Sequence, residues 1–180
     1  MNNLAAPEFG VQNEPSAAEI VEVFNRCFSQ AHGVKMLGGA DEPLYLPATL
    51  DKPAELIFRE DFPSSALHEA AHWCIAGRQR RESPDFAYTY IAAPRSDSEQ
   101  ALFFAAELRT QALESVFAEA ASVIFNPSAD NLTVDVAVFA SAIARYRPKT
   151  EDWLNSPEGL RALQFCHALV ELSEGNRING

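Results

Sequence analysis

The sequence predicts an α+β fold in a single domain. Several helices pack with a small mixed sheet of about three or four strands, and one helix is a zincin-like metal carrier. Three observations lead to this class. Apolar residues recur at helical spacing over most of the chain. Short runs with β character, LYLPA at 44–48 and ELIF at 55–58 among them, interrupt that pattern. The chain of 180 residues, 47% apolar and 22% charged, is long enough to enclose one core and ordinary for a globular domain.

Residues 1–15 are polar and proline-containing and read as a flexible lead-in. Ser16 and Glu19 form a capping box, opening a helix with Ile20, Val23, Phe24, Cys27 and Phe28 on one face. That helix ends near His32 and Gly33, which makes Cys27 a small core hydrophobe and His32 a surface residue. Gly38, Gly39 and the ADEP segment read as turn material, with Asp41 and Glu42 as surface acids before a proline. After the two short strands, the Pro63-Ser64-Ser65 segment opens the next helix, with Ser65 as N-cap and Gly77 near its end.

Residues 85–93, DFAYTYIAA, alternate as a strand with Phe86, Tyr88 and Tyr90 on one face. A long helix is predicted from about Glu99 to Phe125, stopped by Asn126-Pro127. Another follows from about Val134 to Arg145. The last opens at Ser156-Pro157-Glu158, where Ser as N-cap and Pro in the first turn fit together. The C-terminal SEGNRING is expected to fray, which gives a domain over 16–173 and a tail over 174–180.

Composition excludes several functions. The net charge of −11 disfavours nucleic acid as a partner, because neutralising phosphates needs an excess of Lys and Arg. No apolar run reaches membrane-spanning length, and the N-terminus has no basic start or signal core, so neither a membrane partner nor export is expected and the expected location is the cytoplasm. Cys27, Cys74 and Cys166 are scattered and odd in number, which is neither a disulfide framework nor a zinc ribbon. One local feature runs against the acidic balance: Arg78, Arg80 and Arg81 cluster after the second helix. They can complement its dipole or meet an acidic partner.

The chemistry lies in SALHEAAHWCIAG, residues 65–77. Here His68, Glu69 and His72 form H-E-x-x-H in an apolar, Ala-rich helix. Two imidazoles four residues apart share a helix face and can hold one cation. A third ligand is needed to compensate charge. His167 shares a face with Leu160, Leu163 and Val170 and reads as a half-buried packing residue. Among the acids of the long helix, Glu107 sits among Phe103, Phe104, Ala105, Ala106 and Leu108, where a carboxylate is costly unless paired or metal-bound. Glu114 and Glu119 have more polar neighbours and can be solvated, while Gln111 lies one turn from Glu107 and can orient it. His68, His72 and Glu107 would then form a 2-His-1-carboxylate site with open positions. With Zn(II) this is a metallopeptidase-like set in which Glu69 is general base; with Fe(II) it is a facial triad for dioxygen. The residues alone leave both open, beside a non-catalytic metal-stabilised or protein-binding domain.

The blocks DEPLYLPA (41–48), SALHEAAHWCIAG (65–77), RRESPDFAYTY (80–90), Glu107 with Gln111-Ala112-Leu113, and Asp130-Asn131-Leu132 resemble the elongation factor P hydroxylase family in order and spacing. The resemblance covers roughly residues 17–135. It implies a non-haem iron hydroxylase that uses dioxygen to add one hydroxyl group to the β-lysyl-lysine modification of elongation factor P, its protein partner. It implies His68, His72 and Glu107 as Fe(II) ligands; the runner-up reading, apart from the resemblance, is a Zn(II) hydrolase (a peptidase, or a nuclease by fold analogy). It also implies a fold similar to a small bacterial metal-dependent RNA-maturation protein, in keeping with too few strands for a jelly roll. Glu69 lies about 100° round the helix from His68, so its expected role is to orient a ligand or relay a proton, with a solvated or structural glutamate the alternative. No motif identifies a 2-oxoglutarate site or the reductant.

Overall fold

The computed structural model describes residues 14–87, 96–129, 132 and 134–178. Its architecture is α+β: helix α1 (Ala17–His32), strands β1 (Val34–Ala40), β2 (Leu44–Leu46) and β3 (Ala54–Arg59), then helices α2 (Pro63–Ile75), α3 (Asp97–Ala121), α4 (Val136–Leu154) and α5 (Leu160–Ile178). The sheet order is β1-β3-β2, with β1 parallel and β2 antiparallel to β3. Its inner face, including Met36, Tyr45, Leu56 and Phe58, joins the same core as α1, α2 and α5.

The α1 capping box is present. Ser16 Oγ accepts from the Glu19 amide, and the Glu19 carboxylate accepts from the Ser16 amide at 2.8 Å. Gly33 ends the helix in the left-handed region at φ 60°, where a Cβ would be strained. Phe24, Phe28, Trp73 and Phe165 form an aromatic cluster with tilted and edge-on contacts of 4.8–6.0 Å. Each such pair adds about 0.5–1.5 kcal/mol beyond buried area. This cluster clamps α2 between α1 and α5.

Several boundaries differ from expectation. The Gly38-Gly39 pair lies inside β1 rather than in a turn, and the register with β3 shifts between Leu37 and Ala40. A Cβ on Gly38 would sit 2.6 Å from the Phe58 ring, so glycine lets this strand close over the core. Helix α2 starts at Pro63 with Phe62 at the N-cap, three residues before the expected cap, because proline at the first position needs no amide partner. Ser96, not Glu99, caps α3 in a second capping box. Helix α4 passes through Pro148 to Leu154 instead of ending at Arg145. Residues 174–178, expected to fray, continue α5, where Asn176 donates to Glu19 and Arg177 to Ser122.

The strand expected over 85–93 is absent from its described part. Residues Pro84–Ala87 form a tight turn with positive φ at Asp85, Phe86 and Ala87, while 88–93 lie outside the described residues. Phe86 is core as expected, stacked on Tyr45 at 4.2 Å. His167 is exposed rather than half-buried, because α5 turns Ala162, Phe165, Cys166 and Leu169 inward, packs Leu163 partly against them and leaves Leu160 and Val170 outside. Among the described residues, no helix is long and apolar enough to cross a membrane.

Candidate metal centre

Helix α2 presents His68 and His72 toward α3, which returns Glu107 and Glu114 from positions two turns apart on one face. Ligand atoms of His68, His72 and Glu107 all lie within 4.8 Å of one another. The two Nε2 atoms are 3.1 Å apart. Nitrogens bound to one ion at about 2.0–2.1 Å would be separated by about 2.9–3.4 Å, so the pair fits a shared cation. Glu107 completes the set, with Oε1 3.8 Å from His72 Nε2 and Oε2 4.0 Å from His68 Nε2. The three residues singled out from sequence therefore meet, although 35 positions separate His72 from Glu107.

The surrounding residues orient this trio. Gln111 donates to Glu107 Oε2 at 3.3 Å, as its spacing suggested. The Gln111 amide is itself fixed by Ser128, donating to its carbonyl at 2.8 Å and accepting from its N–H at 3.0 Å. Glu114 departs from expectation. It is 7% exposed rather than solvated, and its Oε2 accepts from His68 Nδ1 at 2.8 Å. A carboxylate there fixes the tautomer with the proton on Nδ1 and directs Nε2 inward, the arrangement that raises a metal ligand's basicity. The seven-residue interval from Glu107 to Glu114 was the available signal; the polar neighbours of Glu114 obscured it. Thr110, buried beside His72 with Oγ1 3.4 Å from Nδ1, had no signal in the sequence.

Electrostatics are consistent with a cation site. Burial alone would lower the His68 pKa, but the Glu114 hydrogen bond, then the charges of Glu114, Glu69 and Glu107, raise it to about 10. His72 is held well below its usual range by burial, by His68 and by Arg80. Glu69 is half-buried, and burial, reinforced by Glu107, Glu114 and Asp85, pushes its pKa up to about 7. Among the described residues its carboxylate has no hydrogen-bond partner, and it acts on His68 through its charge.

The arginine cluster divides. Arg81 is half-buried, donates to the Ala76 carbonyl at 2.5 Å and lies 5.4 Å over the Trp73 ring. Arg161 covers the same ring at 5.1 Å and donates to the Cys74 and Ala76 carbonyls. Arg81 therefore closes the C-terminus of α2 and is not a free docking group. Arg80 donates to the Phe86 carbonyl at 2.9 Å, and the exposed Arg78 pairs with Glu82 at 3.6 Å.

Comparison with known proteins places this geometry. A family described as Elongation factor P hydroxylase matches residues 23–179. The chain is also similar to the Elongation factor P lysine hydroxylase of Haemophilus influenzae, 43% identical over 120 residues that cover 66% of this chain and 67% of that protein. Nothing in these comparisons favours the zinc hydrolase that H-E-x-x-H first brings to mind. With the motif, the half-buried Glu107 and the match over nearly the whole chain in agreement, the chain belongs to the elongation factor P hydroxylase family.

Proposed function

We propose that this chain is a cytoplasmic, iron-dependent hydroxylase that adds one hydroxyl group to the β-lysyl-lysine side chain of elongation factor P. The observation that carries this reading is the convergence of His68, His72 and Glu107, whose ligand atoms fall within 4.8 Å in a chain of this family. Two imidazoles and one carboxylate fit Fe(II) with coordination positions to spare. When bound there, iron supplies the redox chemistry that activates dioxygen: one oxygen atom enters a C–H bond and the other leaves as water, with two electrons from a reductant.

The remaining work belongs to this chain's own groups. Glu114 holds His68 with Nε2 directed at the centre, and Gln111 holds Glu107 against Ser128. Glu69, half-buried next to His68, is the group placed to relay a proton at the centre.

The test is incubation of β-lysylated elongation factor P with the purified protein, Fe(II), a reductant and air, followed by mass spectrometry of the modified peptide. A gain of one oxygen atom that disappears with Glu107→Ala supports the reading. Substrate of unchanged mass, with zinc as the ion retained from anaerobic purification, overturns it. Glu69→Gln is expected to slow hydroxylation at least about tenfold with iron uptake intact; unchanged turnover would remove the relay.

A further inference from the structure

A cavity of about 80 Å³ lies where α2, α3 and α4 meet, with Ile75 and Leu113 as its apolar wall. Such a space holds several waters or a small solute. Two cations line it. The Arg109 guanidinium lies 5.2 Å over the Trp153 ring, and Lys149 Nζ lies 5.6 Å over the Tyr146 ring. Among the described residues, neither has a carboxylate within ion-pair distance, in a chain with 25 acids to 14 bases. Thr150 also lines the cavity. It is 4% exposed, and its hydroxyl is buried without a hydrogen-bond partner among the described residues. An orphaned buried hydroxyl is costly unless something unseen satisfies it.

We infer that this cavity is a binding site for a small organic carboxylate. The guanidinium, held over the indole and free of any ion pair among the described residues, has N–H groups to offer a carboxylate, which it matches in two-pronged geometry. Lys149 adds a second charge at the rim, and the Thr150 hydroxyl donates to the second oxygen or to a water it holds. The wall of Ile75 and Leu113 selects an anion with an apolar body over inorganic phosphate, whose further oxygens would be desolvated there without donors. The site stands apart from the metal centre but shares its scaffold: Ile75 follows His72 by three residues, and Arg109 adjoins Thr110, the hydroxyl beside His72.

The inference does not rest on the hydroxylase reading, and its test needs no metal. The full-length ¹⁵N-labelled protein is titrated at constant ionic strength with butyrate, with butyramide as the uncharged control and with phosphate. Saturable shifts at the Trp153 indole N–H and at amides of α4 are expected with butyrate in the millimolar range. Arg109→Gln should weaken binding by about ten- to hundredfold, the effect of losing a charged hydrogen bond. Lys149→Gln, at an exposed position, is a second probe with little risk to folding, and Thr150→Val should weaken binding several-fold. No saturable response overturns the site. An equal response to butyramide reduces it to an apolar cavity, and tighter binding of phosphate overturns the carboxylate class. Full affinity in both Arg109→Gln and Lys149→Gln removes the assigned cations.

Discussion

Glu114 determines more of the proposed site than its sequence context indicates. A carboxylate 2.8 Å from His68 Nδ1 leaves the imidazole one way to face the centre. Removing it should cost about 10- to 100-fold in metal affinity, the usual effect of losing a histidine's outer partner. Glu114→Ala, measured by competition with a chelator, is expected to show that loss. Glu114→Gln, whose amide oxygen can still accept from Nδ1, should retain most of the affinity. Equal affinities in the wild type and Glu114→Ala would mean that His68 needs no orienting partner. His68, His72 and Glu107 were legible because each is anomalous where it stands: two imidazoles in a buried helix, one acid among phenylalanines. Glu114 was not, since its burial is imposed by α2 and not by its sequence neighbours.

At the scale of elements, local chemistry determined the helix starts. The α1 box satisfies two orphan amides, and replacing Ser16 with Ala should destabilise the protein by about 1 kcal/mol. For a chain of this length that is about 2–4 °C in melting temperature. The box also has a pH signature. The Glu19 pKa is lowered, first by the Ser16 backbone hydrogen bond and then by the Ser16 hydroxyl and Asn176. Its contribution is therefore complete above the ordinary carboxylate range and is lost as pH falls through the depressed folded value. Thermal melts between about pH 6 and pH 3 should show a smaller acid loss in Ser16→Ala than in the wild type. Parallel curves would show that the Ser16 hydroxyl adds nothing to the backbone hydrogen bond in lowering the Glu19 pKa.

Strands were harder to read than helices. The glycines of β1 look like a turn because only the Phe58 ring beneath Gly38 explains them. The sheet also protects its edges. On β2 the outward amide of Tyr45 is taken by Asp85 at 2.9 Å, and the flanking outward positions are Pro43 and Pro47, which have no N–H. On β1 the Met36 amide and carbonyl are both bound by Asn25. At Tyr45 and Met36 the outward backbone groups are therefore already taken and not open to strand addition.

At the scale of the whole molecule, the proposed centre joins α2 to α3, so metal binding and folding are coupled. An ion that binds only the folded chain adds about 2.7 kcal/mol of stability at a hundredfold excess over its Kd. Adding Fe(II) anaerobically should raise the melting temperature by several degrees in the wild type. It should leave His72→Ala unmoved, while that variant keeps a native far-ultraviolet spectrum. A His72→Ala protein that is unfolded would instead make the two helices dependent on this histidine for packing.

The sequence by itself determined the fold class, α1 with its cap, the α2 motif and the identity of all three proposed ligands. Each depends on spacing along one helix or on a residue out of keeping with its neighbours. Only the tertiary structure decided that Glu114 serves His68, that Arg81 closes α2 instead of awaiting a partner, and that Thr150 keeps an orphan hydroxyl beside Arg109 and Lys149. Those facts depend on which surfaces of α2, α3, α4 and α5 face each other. Local periodicity shows that a helix has a buried side, but not what chemistry the opposing helix brings to it.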